Sequence, residues 1–188
     1  MKLNLGCGRK KLEGYVNIDI SDYCEPDMIM DLSKPPFPFG SNTVDHIIMK
    51  SVIEHLPSDP EKFFSILQEL YRVCKHSSTI DIECPYPNHR WQIVDFTHQR
   101  PIHIEGLQML DKSYCKALSQ RGSAKTPLAE IYNIDFRIES YEYNVDGNAE
   151  RSIKAVLGEY KPELLSQYVN LFNNVAATQR ITLKVYKK

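Results

Sequence analysis

Nothing in this sequence stays apolar for long. No run approaches the roughly 20 residues a membrane-spanning helix needs, and no signal-peptide h-region opens the chain, because strand-like residues begin at Lys2 and a glycine turn follows at once. The cysteines (Cys7, Cys24, Cys74, Cys84, Cys115) are odd in number and form no CxxC pair. That pattern speaks against a disulfide framework or a zinc cluster and for a reducing compartment. A net charge of -1 supplies no global basic field to draw in nucleic acid. Internal repeats and low-complexity segments are missing as well. These absences lead us to expect one cytoplasmic domain spanning residues 1–188.

What is present is a full complement of core residues, 42% of 188, with 25% charged. The length suffices for one well-formed core. Lys2 to Leu5 alternates as a short strand. Tyr15 to Ile20, Met28 to Asp31 ("MIMD"), 44 to 49 ("VDHIIM") and 79 to 84 ("TIDIEC") are further strand candidates. "KPPFPFGSNT" is a punctuated loop. A helix is predicted from Pro60, with Asp59 as N-cap and Pro60 at the first helical position. Phe63, Ile66, Leu67, Leu70, Val73 and Cys74 form its apolar face, and Lys75 and His76 suit its C-terminus. A short helix is expected over Lys112 to Gln120. The segments 136–145 and "RITLKVYKK" read as strands around a helical stretch broken near Gly158 and Pro162. This alternation gives an α/β domain with a largely parallel sheet.

In such a sheet, ligands bind beyond the carboxyl ends of the strands. Those ends carry an ordered series: Gly6, Cys7 and Gly8 after the first, Asp19 after the second, Asp31 after the third, "KSVIEHLP" after the fourth, "PYPNH" after the fifth. A glycine turn lets a ligand lie against the backbone. An acid ending the second strand can accept from a ribose diol. An acid after the third can accept from an adenine amino group, since an ionised carboxylate only accepts. Each feature alone reads equally as a turn or cap; their order is what points to a nucleotide.

The motifs "LNLGCG", "NIDI", "MDLSKPPFPFGSNTVDHIIMKSVIEHL" and "DFTHQRPI" resemble the class I S-adenosylmethionine-dependent methyltransferases, in particular small members of the methyltransferase type 11 group. The likeness covers about residues 2 to 110. It implies a Rossmann-like, seven-stranded, mostly parallel sheet with an antiparallel C-terminal strand and helices on both faces, and it implies S-adenosylmethionine as cofactor. Carried over by position, Leu5, Gly6, Cys7 and Gly8 would line its methionine and ribose. Asp19 would hold the ribose hydroxyls and Ile20 pack on adenine, with Asp31 and Leu32 beside that ring. Lys50, Ser51 and Val52 would face the sulfonium, and His55 would shape the pocket floor. The family's third glycine and the helix before the second strand are missing: Asn17 arrives nine residues after Gly8, room for one or two helical turns at most. An open site is expected.

Methyl transfer is an in-line displacement in which the protein aligns the nucleophile and takes its proton. Candidate bases follow the fifth strand: His89, Asp95, His98 and His103, with Tyr86 near. His98 in "DFTHQRP" is the first choice, oriented by Asp95; a hydrogen-bonded turn of Asp95, Thr97 and His98 that only fixes the loop is the competing reading. His89, His98 and His103 match no compact zinc spacing, so no metal is expected. Cys7 suits packing better than nucleophilic attack. Trp91 could stack on a substrate ring or serve the core.

The activity expected is methyl transfer to a small molecule, a sugar or metabolite, at oxygen or nitrogen. A homo-oligomer is compatible with it; a membrane or nucleic-acid partner is not expected. The alternative is a catalytically degenerate methyltransferase fold serving as a binding or scaffold protein. A nicotinamide oxidoreductase fits less well, because GxGxxG is incomplete. Nor does an "NPPY" loop follow the fourth strand, as it does in amino-methylating nucleic-acid enzymes.

Overall fold

A computed structural model describes residues 1–187. Its strands are β1 (Lys2–Leu5), β2 (Val16–Asp19), β3 (Met28–Ile29), β4 (Val44–Lys50), β5 (Cys74–Pro85), β6 (Phe136–Val145) and β7 (Ala176–Val185). They form one seven-stranded sheet in the order β3-β2-β1-β4-β5-β7-β6. Neighbours from β3 through β5 are parallel, and β7 is antiparallel to both β5 and β6. The carboxyl ends of β1 to β5 therefore share one edge, and the loops after them open there.

The helices are α1 (Pro60–Val73), α2 (Trp91–Val94), α3 (Ile104–Gln108), α4 (Lys112–Gln120), α5 (Leu128–Ile131), α6 (Ala149–Leu157) and α7 (Leu165–Leu171). α1 starts as its sequence dictates: Asp59 Oδ1 accepts from the Lys62 N–H at 2.9 Å, and Pro60 loses nothing at a position whose N–H has no helical partner. Its buried stripe of Phe63, Phe64, Ile66, Leu67, Leu70 and Val73 lies in one cluster with Leu3, Leu5, Ile47, Met49, Ile80, Ile82 and Leu183. Near its end Arg72 donates to the carbonyls of Phe37 and Phe39 and pairs with Glu69. This ties the proline-rich loop, with Phe37 and Phe39 buried, onto the helix. The helix gives way to β5 at once, at Cys74. Lys75 and His76, expected at a helix terminus, instead lie in the strand, where Lys75 reaches Asp45 at 2.6 Å.

The helix-length gap between β1 and β2 is closed without a helix. Asn4 and Asn17, both buried, satisfy the loop's backbone in its place. Asn4 Nδ2 donates to Lys10 O and to Asn17 Oδ1; Asn17 Oδ1 also accepts from Leu12 N–H, and Asn17 Nδ2 donates to Asp27 at 2.8 Å. A buried polar group must be paired, and here the pairing is also what holds the short loop.

Only a single 3-10 turn, Asp22–Cys24, lies between β2 and β3. The sheet face opposite α1 is accordingly polar over the central strands. His46, Asp81 and Thr182 form a ladder across it: Tyr15 Oη lies 2.7 Å from His46 Nδ1, His46 Nε2 lies 2.9 Å from Asp81 Oδ2, and Thr182 Oγ1 donates to Asp81 Oδ1 at 2.8 Å. Arg180 pairs with Glu83 beside it. A cavity of about 410 Å³ opens on this face, lined in part by Lys50, Glu83, Glu142 and Arg180. No helix among the described residues is long and apolar enough to cross a membrane.

Candidate active site

The turn after β1 is built from two left-handed glycines, Gly6 at φ +63 and Gly8 at φ +51. A Cβ on Gly6 would collide with Val52 Cγ2, whereas Gly8 faces open space. Gly6 is therefore demanded by backbone and packing together, and Gly8 by backbone alone. Cys7 is buried between them and its N–H donates to Ile18 O at 2.9 Å. Burial pushes its thiol up from the usual range, with Asp19 adding to the effect, as a packing residue requires.

Asp19 ends β2 beside this turn. Its Oδ2 accepts from the Gly8 N–H at 2.8 Å and its Oδ1 from the Ser21 N–H at 3.0 Å, leaving further acceptor positions on both oxygens. Ile20 and Tyr23, in the segment that follows, are large and exposed. Asp31, by contrast, is engaged locally: Ser33 donates to it through its hydroxyl and its N–H, and Lys34 sits 3.2 Å away. The Ser33 hydroxyl is the main cause holding its carboxyl below the ordinary range. Leu32 packs against the core.

Past β4 the chain turns sharply. Ser51 is left-handed at φ +52 and its N–H donates to Glu83 O. Lys50 points to the open face, Val52 to Gly6, and a 3-10 turn, Ile53–His55, follows. The "DFTHQRP" segment is locked to that turn, because the N–H groups of Gln99 and Arg100 both donate to Glu54 O. Asp95 forms the hydrogen-bonded turn considered above: Thr97 gives it both its N–H and its hydroxyl. The hydroxyl bond is the chief reason the Asp95 carboxyl lies below the usual range. That turn does more than fix a loop, since it also brings three groups together. Thr97 Oγ1 lies 3.0 Å from His55 Nδ1, His98 Nε2 lies 3.7 Å from Asp95 Oδ2, and the His55 and His98 rings meet edge to face at 4.6 Å.

Beneath them lies Glu54, fully buried, with neither carboxylate oxygen hydrogen-bonded among the described residues. Burial pushes its carboxyl up; the amide of Val52 and its own, short of hydrogen-bond geometry, and the His98 ring offset part of this. Sequence reasoning quoted "SVIEHL" without giving Glu54 a role. The available signal was a carboxylate set inside an otherwise apolar run. The other histidines lie apart from this group. His89 is buried, with Nε2 at 3.1 Å from Asp146 and Nδ1 accepting from the Trp91 N–H; His103 caps α3.

The glycine turn after β1, the acid ending β2 and the sheet order 3-2-1-4-5-7-6 stand together in this chain. The chain has the class I methyltransferase fold. No protein-family model matches the sequence, and no curated protein matches it. Solved structures do. A SAM-dependent methyltransferase from Archaeoglobus fulgidus is similar at 22% identity and a TM-score of 0.60, over 97% of this chain and 85% of that one. A second, from Methanosarcina mazei, is similar at 13% identity and a TM-score of 0.52, over 100% and 92%. The [4+2]-cyclase SpnF is similar at 12% identity and a TM-score of 0.51, over 100% and 74%. At these identities the likeness defines the methyltransferase fold and leaves the reaction to be argued from the site.

Proposed function

We propose that this chain is a methyltransferase that uses S-adenosylmethionine to methylate a small-molecule acceptor, a sugar or metabolite, at oxygen or nitrogen. The observation that carries the reading is the coupling of the left-handed Gly6–Gly8 turn to the Asp19 carboxylate through the Gly8 N–H, on the first two strands of this fold. A backbone free of Cβ atoms and an acceptor carboxylate beside it suit a ribose diol and the chain attached to it. When bound, S-adenosylmethionine supplies an electrophilic methyl group on a sulfonium. Leu5, Gly6, Cys7 and Gly8 would hold its methionine and ribose, Asp19 the hydroxyls, and Ile20 the adenine face, with Asp31 and Leu32 near that ring. Lys50, Ser51, Val52 and His55 would border the sulfonium end.

The acceptor's proton is handled at the far side of the same edge, where His98 and Asp95 lie. The Gln92 carbonyl, 3.1 Å from His98 Nδ1, can only accept, so Nδ1 carries the proton and Nε2 is free in the neutral ring. The domain spans 1–188 in this reading and works in the cytoplasm. Titration with S-adenosylhomocysteine tests the cofactor half; absence of saturation at millimolar ligand would sink it. His98→Ala is expected to lower turnover at least about 100-fold while leaving S-adenosylhomocysteine affinity within about twofold.

A second reading, a methyltransferase fold that binds without turnover, is favoured by the bare sheet face and the helix-free β1–β2 connection. Saturable cofactor binding with no mass gain of about 14 Da, one CH₂ per acceptor, in any fraction of a metabolite pool incubated with unlabelled S-adenosylmethionine would select it.

A further inference from the structure

Glu54, His55 and His98 each offer a ligand atom, and these atoms lie within 4.8 Å of one another. Their hydrogen bonds decide what they offer. The hydroxyl proton of Thr97 goes to Asp95 at 2.6 Å, so Thr97 Oγ1 accepts from His55 Nδ1–H at 3.0 Å. His55 Nε2 is then a bare lone pair. The Gln92 carbonyl likewise takes the Nδ1 proton of His98 and leaves its Nε2 bare. The Glu54 carboxylate is wholly buried and unpartnered among the described residues. One acceptor atom from each of three groups thus lies within 4.8 Å of the others, and Asp95 adds a second carboxylate 3.7 Å from His98 Nε2. A shared proton or a metal cation would satisfy such a group.

We propose that Glu54, His55 and His98 bind one divalent transition-metal cation of the zinc class, with positions left open on the solvent side. Two imidazoles and one carboxylate suit Zn²⁺, Co²⁺ or Fe²⁺ over Mg²⁺, which favours an all-oxygen shell. Zinc bonds of about 2.0–2.2 Å at tetrahedral angles put ligand atoms roughly 3.3–3.6 Å apart, so atoms now up to 4.8 Å apart must close in by up to about 1.5 Å on binding. The outer partners that fix ring orientation at metal sites are already in place: Thr97 on His55 and the Gln92 carbonyl on His98. The backbone bonds from Gln99 and Arg100 to Glu54 O hold the two contributing segments in register. His55 is partly exposed, whereas the His98 side chain is only 7% exposed, so an ion, and a water or acceptor atom bound to it, would enter from the His55 side.

Metal binding here stands apart from methyl transfer; only the use of the open position rests on that reading. An acceptor hydroxyl bound to the ion would lose its proton to solvent water more readily. Its oxygen would then bond the methyl carbon as the carbon–sulfur bond breaks and leaves its electron pair on sulfur. His98 would in that case be a ligand, and the proton would leave through the ion-bound oxygen.

The test uses the full chain stripped with a chelator and titrated with ZnCl₂ against a chromophoric competitor, with Co²⁺ substitution read by visible d–d absorption. Expected are one equivalent of Zn²⁺, a low-coordinate Co²⁺ spectrum, and no displacement by equal Mg²⁺. His55→Ala and His98→Ala should each weaken Zn²⁺ binding at least about 100-fold, and Thr97→Val about tenfold. Glu54→Gln should weaken it without emptying the buried space; circular dichroism checks that each variant is folded. No stoichiometric uptake by the wild type, or uptake that all these variants leave unchanged, overturns the proposal. S-adenosylhomocysteine titration of the same stripped protein separates the two readings: cofactor saturation without metal uptake overturns the metal site alone, and metal uptake without cofactor saturation overturns the methyl-transfer reading alone.

Discussion

Gly6 and Gly8 look alike in the sequence and differ in the structure. Both occupy the left-handed region, where an L side chain costs about 1–2 kcal/mol. Only Gly6 also faces a side chain, Val52, at the distance of a clash. Gly8→Ala should therefore cost about 1–2 kcal/mol in a urea melt. Gly6→Ala should cost distinctly more, roughly 2–4 kcal/mol once overpacking is added, and should lose S-adenosylhomocysteine binding as Val52 shifts. Equal melts for the two variants would mean that Val52 yields freely. The cysteines divide in the same way. Burial pushes the Cys74 and Cys84 thiols up to about 12, while Cys24 is partly exposed. A thiol-reactive chromogen at pH 8 should take one fast equivalent from the native protein, at Cys24, with the buried thiols reacting only on unfolding. Fast reaction of a second thiol would contradict the packing around it.

At the scale of elements, the helices and strands that were legible were those whose signals are local. α1 carries its start in Asp59 and Pro60 and its face in a 3.6-residue stripe, and both were readable. Asp59→Ala removes one accepted N–H bond and should cost about 1 kcal/mol, measured as a lower urea midpoint at unchanged slope. A larger loss accompanied by a changed slope would show that the cap also holds the Glu54 segment. The alternation "TIDIEC" was read as a strand, correctly, but it said more than that. A parallel strand covered on both faces reads as a continuous apolar run, so Asp81 and Glu83 were already reporting a sheet with one uncovered face. The β1–β2 connection went the other way. Its ten residues, 6–15, left room for a turn or two of helix, and the buried Asn4–Asn17 clamp decided for none. Side chains that satisfy a loop's backbone leave no periodic trace in the sequence.

Over the whole molecule, packing is uneven. One large cluster joins α1 to β1, β4, β5 and β7, while a smaller one, built from Tyr86, Ile153, Tyr168, Val169 and Val175, holds α6 and α7. Few buried contacts mean low local opening energy. Native-state hydrogen exchange should find the slowest amides in β4, β5 and β7, with α6 and α7 exchanging through a separate, easier opening. Uniform protection across the chain would show a single cooperative unit instead.

By itself the sequence determined the alternating elements and the sheet class and nominated the cofactor-side residues, because each of these is written within a few neighbouring positions. Gly6, Gly8 and Asp19 could be chosen from "LNLGCG" and "NIDI" for that reason, and the structure joins two of them through one hydrogen bond. The cluster at Glu54, His55 and His98 was decided only by tertiary structure. Its members come from two segments more than forty residues apart, joined when the Gln99 and Arg100 amides bond to the Glu54 carbonyl. The sequence offered His89, His98 and His103 as candidate bases and no metal site; in the structure two of those three have structural partners elsewhere. Whether a lone pair is free depends on what its neighbours donate, and that is a property of the folded arrangement alone.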